Sequence, residues 1–569
     1  MIGYIIQNIK KVIMANLVFV ILITILAIFL TIRALPENHL DMDSAQTLLS
    51  ARWWARDGFL KHNFLQLIAG YGKLAKYFEE PELSEHAQGI VTGGLIGHKL
   101  YYTHYPSLYI IPIALLIKLG ITKLFLLKIL SIAASILGLI FLYVFIKLLS
   151  NKYIAFIAAS YFGISPLFIK WADSLGYIPQ EDMWRFLILL LSLITFRYFT
   201  GPEKTSVKDK LSSDIRSPEQ KRIDISSVKN GYLYISAIWI SYLFLALTSF
   251  NSTVFIFMWL IGLSALYIYK YNALNAKNKF LIFIFLAIFW SLAPILGFIL
   301  QLVQNISYLG WHNTWLDIYG AFNSVGNRAS LDFVTRFEGI IKPFLSLTGI
   351  LNIYAILAPL GLTKFKEIFF HSRISDLYVL PLLIGFGAII ILKLKKFTDY
   401  KIPSPYIVIL LAIAPLTQTL ILPLTGYRDN MGRLAAPFIG IVIGAIVWML
   451  FLAFSKNFLT FFNKLLFSFI FILIISLFTI QFVLNNEPRF WSAYAPISYN
   501  EIAFAKAMKK VAIGEKAIFM INKYDTLIPE EELKKRFALY DPSHYQGNYL
   551  IWEYYFDMPL LNFTKTGYL

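Results

Sequence analysis

The chain has 569 residues, of which 58% are hydrophobic and only 15% are charged, and its mean hydropathy is +0.64. This composition excludes an ordinary soluble globular protein. The apolar residues come in blocks of about twenty, the length of helix that crosses ~30 Å of hydrocarbon, so the sequence predicts an all-α polytopic membrane protein.

The basic excess of the chain, a formal net charge of +18, has a simple explanation in a membrane protein. Most of the Lys and Arg residues lie in short segments between apolar blocks, where they mark the cytoplasmic side. They form no basic patch on a soluble fold, so we expect no nucleic-acid partner. The chain has no cysteine, which excludes disulfides, thiolate metal sites and cysteine nucleophiles.

Long apolar blocks follow one another along the chain, and each is predicted to span the membrane. They lie near residues 12–33, 123–149, 153–172, 183–200, 231–249, 251–269, 280–303, 377–394, 404–424, 434–454 and 464–484. Two shorter blocks, 106–118 and 344–363, either span or dip into the outer interface and return. We therefore predict 11 spans, with 13 as the alternative. Both topologies place the N-terminus in the cytoplasm and the C-terminus outside.

This topology divides the chain into a membrane domain, residues 1–484, and a small external α/β appendage, residues 485–569. The appendage contains a strand-like run at 517–521. Three regions of the membrane domain are predicted to be external: a first loop at 34–105, a second loop at 173–182 and a third region at 304–376. The segment 201–230 is rich in Lys and Arg and is predicted to be a cytoplasmic loop.

The first loop begins with two acids, Asp41 and Asp43, where the first span should leave the bilayer. The following residues, 44–56, form an amphipathic helical pattern whose apolar face contains Ala45, Leu48, Leu49, Trp53 and Trp54. Such a helix is predicted to lie in the membrane interface with its indole rings at headgroup level. A solvated helix cap is the simpler explanation of a single acid at this place.

A second group of acids, Asp173, Glu181 and Asp182, is predicted to lie on the same side of the membrane as Asp41 and Asp43. Glu181 and Asp182 begin a helix, where the helix dipole favours acids without any further function. The composition of this segment therefore leaves both a structural and a catalytic role open.

Several arginines are predicted on the external side, against the charge bias of membrane proteins: Arg328, Arg336, Arg428 and Arg433. A guanidinium is a bidentate ligand of phosphate. His104 stands just before an apolar segment, either as an interfacial residue or as a contact of a polar headgroup. External acids and arginines at the bilayer surface suit chemistry on a lipid-linked phosphate.

The order of these elements resembles the GT-C superfamily of integral-membrane glycosyltransferases, and within it the protein O-mannosyltransferase and aminoarabinose transferase branch. The matching positions are Asp43, Ala51, Asp57-Gly58, Y-P-S-L at 105–108, the stretch from Pro166 to Asp182, and that from Arg428 to Pro437. The chain departs from the family at Ser107, which replaces a second proline. It also departs at Arg428-Asp429-Asn430 and Gly432-Arg433, which replace the family's arginine-tyrosine pair.

The resemblance implies a single inverting displacement on a polyprenyl-phosphate sugar at the external face, with membrane lipids around the site. Asp43 would be the general base and Asp41 its alternative, while Asp182 would position the acceptor or base, or share a divalent cation with Asp43. The other implied contacts are Asp173, Glu181 and Tyr105 for the acceptor, and Arg428, Arg433, Arg328, Arg336, Lys99 and His104 for the donor phosphate. A cation is not certain, and the acceptor is a protein, lipid or glycan.

Two other functions are alternatives to the transferase. A transporter or flippase of lipid-linked sugars would be expected to carry paired interrupted helices in repeated halves, which the sequence lacks. A ligase or polymerase of surface polysaccharide also uses external arginines and lipid-linked sugars. It would lack the early aspartate followed by an amphipathic helix.

Overall fold

A computed structural model describes residues 16–35, 40–67, 101–103, 106–200, 225–270, 275–329, 405–421 and 433–456, with short pieces at 507, 518–520 and 560–562. The blocks predicted at 377–394 and 464–484, and the short block at 344–363, lie outside these residues.

The described residues are mainly helical. The helices are α1 (Leu17–Ala34), α2 (Met42–Asp57), α3 (Ile111–Lys118), α4 (Leu124–Leu149), α5 (Lys152–Ile164), α6 (Pro166–Trp171), α7 (Ile178–Thr200), α8 (Ile225–Thr248), α9 (Thr253–Lys270), α10 (Ala276–Ala329), α11 (Pro405–Ile421) and α12 (Ala436–Lys456). Four stretches among them are long and apolar enough to cross a membrane: α1, α4, Gly231–Thr248 in α8 and Ala276–Tyr319 in α10. The predicted all-α polytopic membrane fold is confirmed.

Short strands pair in two places. In the first loop, β1 (Gln66–Leu67) pairs antiparallel with β2 (Tyr101–Tyr102). Near the C-terminus, β3 (Ile518–Met520) pairs parallel with β4 (Leu560–Asn562). The strand β3 lies within the run predicted at 517–521.

The predicted block 153–172 is two helices, because its sequence contains a start signal in the middle. Pro166 has no backbone N–H to give to the preceding turn and is favoured at the first position of a new helix. Ser165 adopts an extended conformation, and its hydroxyl accepts from the backbone N–H of Phe168 at 3.3 Å. The chain therefore bends at Ser165, and α6 leads directly into the second loop.

The short block 106–118 folds as a 3-10 turn, Leu108–Ile110, followed by α3. An α-helix of this length, 8 residues, is ~12 Å long and cannot cross ~30 Å of hydrocarbon. For this block the geometry favours the topology with fewer spans.

The helices α4 and α8 both pack against α7, and α12 packs along α5. At Gly138 the helix α4 comes close to the backbone of α7. A Cβ atom there would lie 3.3 Å from the backbone nitrogen of Met183 and 3.5 Å from the carbonyl carbon of Asp182. This contact sets the position of the start of α7, which carries two of the predicted site acids.

The apolar face of α2 is covered by protein, whereas its amphipathic pattern predicted that it lies in the membrane interface. Leu48, Leu49 and Trp54 are buried against α3 and the turn before it. The indole N–H of Trp54 donates to the carbonyl of Leu65 at 3.2 Å. The 3-10 turn and α3, which fall in the short block 106–118, supply the covering surface.

The helix α10 is broken at Gly310, whose φ of 76° and ψ of 168° are far from helical. Just before the break, the side-chain amide of Asn305 donates to the carbonyl of Thr103 at 2.8 Å, and Asn305 is buried. After the break, the hydroxyl of Thr103 donates to Asp317 at 2.6 Å. These bonds fasten the end of the first loop to both parts of α10.

Candidate active site

Asp41 is the N-cap of α2. Its carboxylate accepts from the backbone N–H of Ser44 at 2.8 Å and from the hydroxyl of Ser44 at 2.6 Å. It also accepts from the hydroxyl of Ser174, in the second loop, at 3.2 Å. A carboxylate at this place stabilises the helix by satisfying an N–H that has no partner within the helix. Asp41 therefore both starts α2 and joins it to the second loop.

The second loop packs directly against Asp43. The backbone N–H of Leu175 donates to the Ser44 hydroxyl at 2.8 Å. A Cβ atom on Gly176 would lie 3.2 Å from the Cβ of Asp43, which is closer than most real contacts. The loop can lie this close because residue 176 is a glycine. Asp43 itself is half-buried.

Tyr109, in the turn before α3, lies beside Asp43. It is buried, and its hydroxyl bonds with Thr47 and Gln66. Burial, with a smaller effect from the charge of Asp43, raises the pKa of the Tyr109 hydroxyl. This hydroxyl therefore remains protonated and provides a fixed polar wall next to Asp43.

Asp173 holds the start of the second loop through a buried ion cluster. Its carboxylate pairs with the guanidinium of Arg33, at the end of α1, and lies 3.6 Å from the ammonium of Lys128, in α4. Burial alone would raise the pKa of Asp173, but the charges of Arg33 and Lys128 outweigh it and lower that pKa. Asp173 is thus a permanently charged anchor between the first two long helices.

Glu181 and Asp182 belong to a second buried ion cluster, at the start of α7. One oxygen of Asp182 pairs with Arg185, and the other accepts from the Nε of Arg433 at 2.8 Å. Glu181 lies 3.5 Å from Arg185 and accepts from the hydroxyl of Ser252. Arg185 and Arg433 are both 1% exposed. Each buried charge has an opposite charge as a direct partner, which is the arrangement that a low-dielectric interior requires.

A hydrogen bond joins the turn before α9 to the second loop: the side-chain amide of Asn251 donates to the hydroxyl of Tyr177 at 3.0 Å. Ser252, the next residue, belongs to the Glu181 cluster. The predicted acids thus form two neighbouring groups, one with Asp41, Asp43 and the second loop, the other at the start of α7.

The other predicted residues divide by location. Arg433 was predicted to bind the donor phosphate, but its guanidinium is buried against Asp182 and would have to leave that partner to do so. Arg328 lies near the end of α10, where the structure describes only the backbone. The remaining candidates lie outside the described residues: Lys99, His104, Tyr105, Arg336 and Arg428.

A divalent cation shared by Asp43 and Asp182 does not fit this arrangement, because both oxygens of Asp182 are occupied by guanidinium groups. Within the residues that the structure describes, no group of three or more acids and histidines forms a metal site. The roles assigned to the site residues from the sequence stay predictions.

Three charged residues of these clusters were missed in the sequence: Arg33, Lys128 and Arg185. In sequence, a basic residue such as Arg33 at the end of an apolar block has the pattern of a flank, and a lysine near a helix end, such as Lys128, has that of a snorkelling side chain. Arg185 was recognisable, since it follows Glu181 by four residues and Asp182 by three, the spacing of ion pairs on one helix face.

No protein-family profile and no curated protein matches this chain. The chain is similar to solved structures of an oligosaccharyltransferase from Archaeoglobus fulgidus. One, tethered to an acceptor peptide with the NVT sequon, is 13% identical over 86% of this chain and 57% of that chain, with a TM-score of 0.43. A second, in complex with an inhibitory peptide and a dolichol-phosphate, is 11% identical over 92% of this chain and 59% of that chain, with a TM-score of 0.44. A third, in complex with Zn and sulfate, is 13% identical over 77% of this chain and 49% of that chain, with a TM-score of 0.37. This chain thus spans less than two thirds of each.

Proposed function

We propose that the protein is a membrane glycosyltransferase that moves a sugar from a polyprenyl-phosphate donor to an acceptor at the external face of the bilayer, with inversion. The observation that supports this most is the meeting of Asp41, Asp43 and the second loop. These residues are about 130 positions apart in sequence, yet the Ser174 hydroxyl binds Asp41 across 133 residues and Gly176 packs on Asp43. They form a polar site just after the first membrane helix.

Within this site Asp43 is the general base. Its carboxylate takes the proton of the acceptor hydroxyl while the hydroxyl oxygen attacks the anomeric carbon. The bond between that carbon and the phosphate oxygen breaks, and polyprenyl phosphate leaves with the bonding electrons. Asp41 is less suited to this step, because hydrogen bonds from Ser44 and Ser174 already occupy its oxygens.

The other acids position the site. Asp173 fixes the first residue of the second loop through Arg33 and Lys128, and Asp182 fixes the start of α7 through Arg185 and Arg433. The leaving phosphate is neutralised by Arg428, Arg328 or Arg336, with Lys99 and His104 as further candidates. Tyr105 contacts the acceptor. The acceptor is a protein, a lipid or a glycan, and a peptide of the kind bound to the Archaeoglobus fulgidus enzyme is one member of that set.

The experiment compares cell-envelope glycans by mass spectrometry in a strain that lacks the gene and carries wild type, Asp43→Asn or Arg56→Gln at equal membrane levels. Arg56 is the matched control, because its side chain is 59% exposed at the opposite end of α2. The deletion should lose one sugar, and wild type and Arg56→Gln should restore it. Asp43→Asn should not, since a general base supplies about 10² to 10⁴ in rate.

Two outcomes would count against the proposal. Full restoration by Asp43→Asn would remove Asp43 as the base and transfer that role to Asp41. A deletion strain with unchanged glycans and lipid-linked sugars would contradict the transferase itself.

A further inference from the structure

The part of α10 that follows Gly310 carries three large aromatic side chains on one face. Trp311, Trp315 and Tyr319 are four residues apart, which places them along one side of a helix. Their exposed fractions are 69%, 62% and 58%. Three such rings side by side form a continuous aromatic face, which we call the aromatic stripe.

The opposite side of this helix is polar and buried. Thr314 and Asp317 are each 1% exposed, and Asp317 accepts from the hydroxyl of Thr103 at 2.6 Å. A helix on the surface of a water-soluble domain has the reverse pattern, with its apolar side inward and its polar side outward. A polar side towards protein and an aromatic side outward indicate that the outward medium is not bulk water.

The aromatic stripe follows directly after a membrane span whose outward side chains are apolar. In that span Phe285, Leu292 and Val303 are exposed on the protein surface, where a bilayer would meet them. The exposed side chains thus change from aliphatic and Phe in the span to Trp and Tyr after Gly310. Trp and Tyr are the residues that membrane proteins place at the headgroup level.

The break at Gly310 allows the helix that follows it to take a different direction from the membrane span. The apolar block 280–303 is ~36 Å long as a helix and already crosses ~30 Å of hydrocarbon. If α10 were straight, Tyr319 would lie ~24 Å beyond Val303, past the headgroup layer. The positive φ of Gly310 ends the first axis, so the following segment is free to turn into the plane of the membrane.

We propose that the helix from Trp311 to Ala329 lies on the external surface of the bilayer, with the aromatic stripe inserted in the lipid headgroup layer. The three rings then occupy the same depth. Through the bond between Asp317 and Thr103, this membrane contact also sets the height of the end of the first loop above the bilayer. The proposal concerns a lipid surface and is independent of the transferase assignment.

The test uses the absence of cysteine from the natural chain. Single variants Trp311→Cys, Trp315→Cys and Tyr319→Cys are spin-labelled and reconstituted in phosphatidylcholine vesicles. The accessibility of each label to oxygen and to a water-soluble nickel chelate then gives its depth. Asn313→Cys is the matched control, because Asn313 is half-buried on the same turn and lies on the side of the helix away from the aromatic stripe. The three stripe labels should prefer oxygen and lie ~5–10 Å below the phosphate level at similar depths, while the Asn313 label should prefer the nickel chelate.

Other results would overturn the proposal. Labels at the stripe that meet the nickel chelate as readily as the Asn313 label would place the helix in water. Depths that change steadily from 311 to 319 would show that α10 continues along the membrane normal. Protection of the stripe only on addition of an oligosaccharide would assign the face to a glycan.

A second measurement keeps all cysteines out of the chain. Bromine-labelled lipids quench indole fluorescence at a known depth, so the double variant Trp311→Phe/Trp315→Phe should show a smaller quenched fraction than wild type when the bromine is near the headgroups. An unchanged fraction would contradict the proposal. The thermal melt of each variant in detergent checks that the fold is kept.

Discussion

The candidate site acids are held by two different kinds of partner. Asp173 and Asp182 are buried and compensated by guanidinium and ammonium groups. Asp41 and Asp43 are half-buried at the start of α2, where the partners of Asp41 are hydroxyls and a backbone N–H. A buried carboxylate that is fully ion-paired serves to join helices, whereas a partly exposed one can exchange a proton with a substrate.

This contrast carries an energetic consequence. Removing one partner of a buried ion pair leaves an uncompensated charge in a low-dielectric interior. Removing a partly exposed carboxylate leaves groups that water can solvate. The variants below should therefore separate loss of fold from loss of activity.

The largest effect is expected for Asp182→Asn. Two arginines with 1% exposure would each lose their anionic partner, which should lower the free energy of unfolding by about 3–5 kcal/mol. Thermal melts in detergent measure this change. Asp43→Asn is the control and should melt like wild type. A melt of Asp182→Asn that equals that of wild type would show that the cluster does not hold α7.

Gly176→Ala should affect activity more than stability. The added methyl group would lie 3.2 Å from the Cβ of Asp43 and push the carboxylate or the loop away. Misplacement of a catalytic group by ~1 Å can cost about 10² in rate. The sugar product in the complemented strain should fall, while the melt of the purified protein stays within a few degrees of wild type. Full activity would mean that Asp43 does not depend on the second loop.

Asp41→Ala should lower stability by about 1 kcal/mol, because the start of α2 loses its cap. Asp41→Asn is the matched variant, since asparagine caps helices about as well as aspartate. It should keep both the melt and most of the glycan product. An Asp41→Asn protein that is folded but inactive would identify Asp41 rather than Asp43 as the base.

The smallest effect concerns the far end of α2, where the Nδ1 of His62 lies 2.6 Å from the hydroxyl of Tyr101. Burial lowers the pKa of His62, so the unfolded chain binds a proton more readily than the folded one. Stability should therefore fall as the pH drops below about 6.5, the pKa of an unfolded histidine. Melts at about pH 7.5 and about pH 5.5 test this, and His62→Asn should reduce the difference. An equal difference in that variant would assign the pH dependence to other groups.

The membrane helices were predictable because apolar length and the absence of charge determine them directly. The block at 123–149 became α4 with nearly the same ends. The division of the block at 153–172 is encoded by Pro166, since proline favours the first position of a new helix. The burial of Trp54 by protein could not be predicted, because an amphipathic pattern shows which face is apolar but not whether lipid or protein covers it.

The acids of the candidate site could be predicted from the sequence, but the residues that contact those acids could not. Asp43 and Asp182 stand at the ends of apolar blocks, where a charge is easily noticed. Their relation to Gly176 and Arg433 depends on how distant helices pack, and no local pattern contains that information. The ion pairs of Arg33 and Lys128 could not be predicted either, because a basic residue near a helix end is usually explained without a buried acidic partner.

Asn305 begins the tripeptide N-I-S, the acceptor signal that eukaryotic secretory cells modify on the side-chain nitrogen. That nitrogen is the atom that donates to Thr103, in a place with 4% exposure. A sugar chain attached there would prevent the first loop from closing on α10. When the protein is produced in such cells, a mass increase that disappears in Ser307→Ala would therefore identify molecules modified before they folded. The fraction without that increase would be the material to purify.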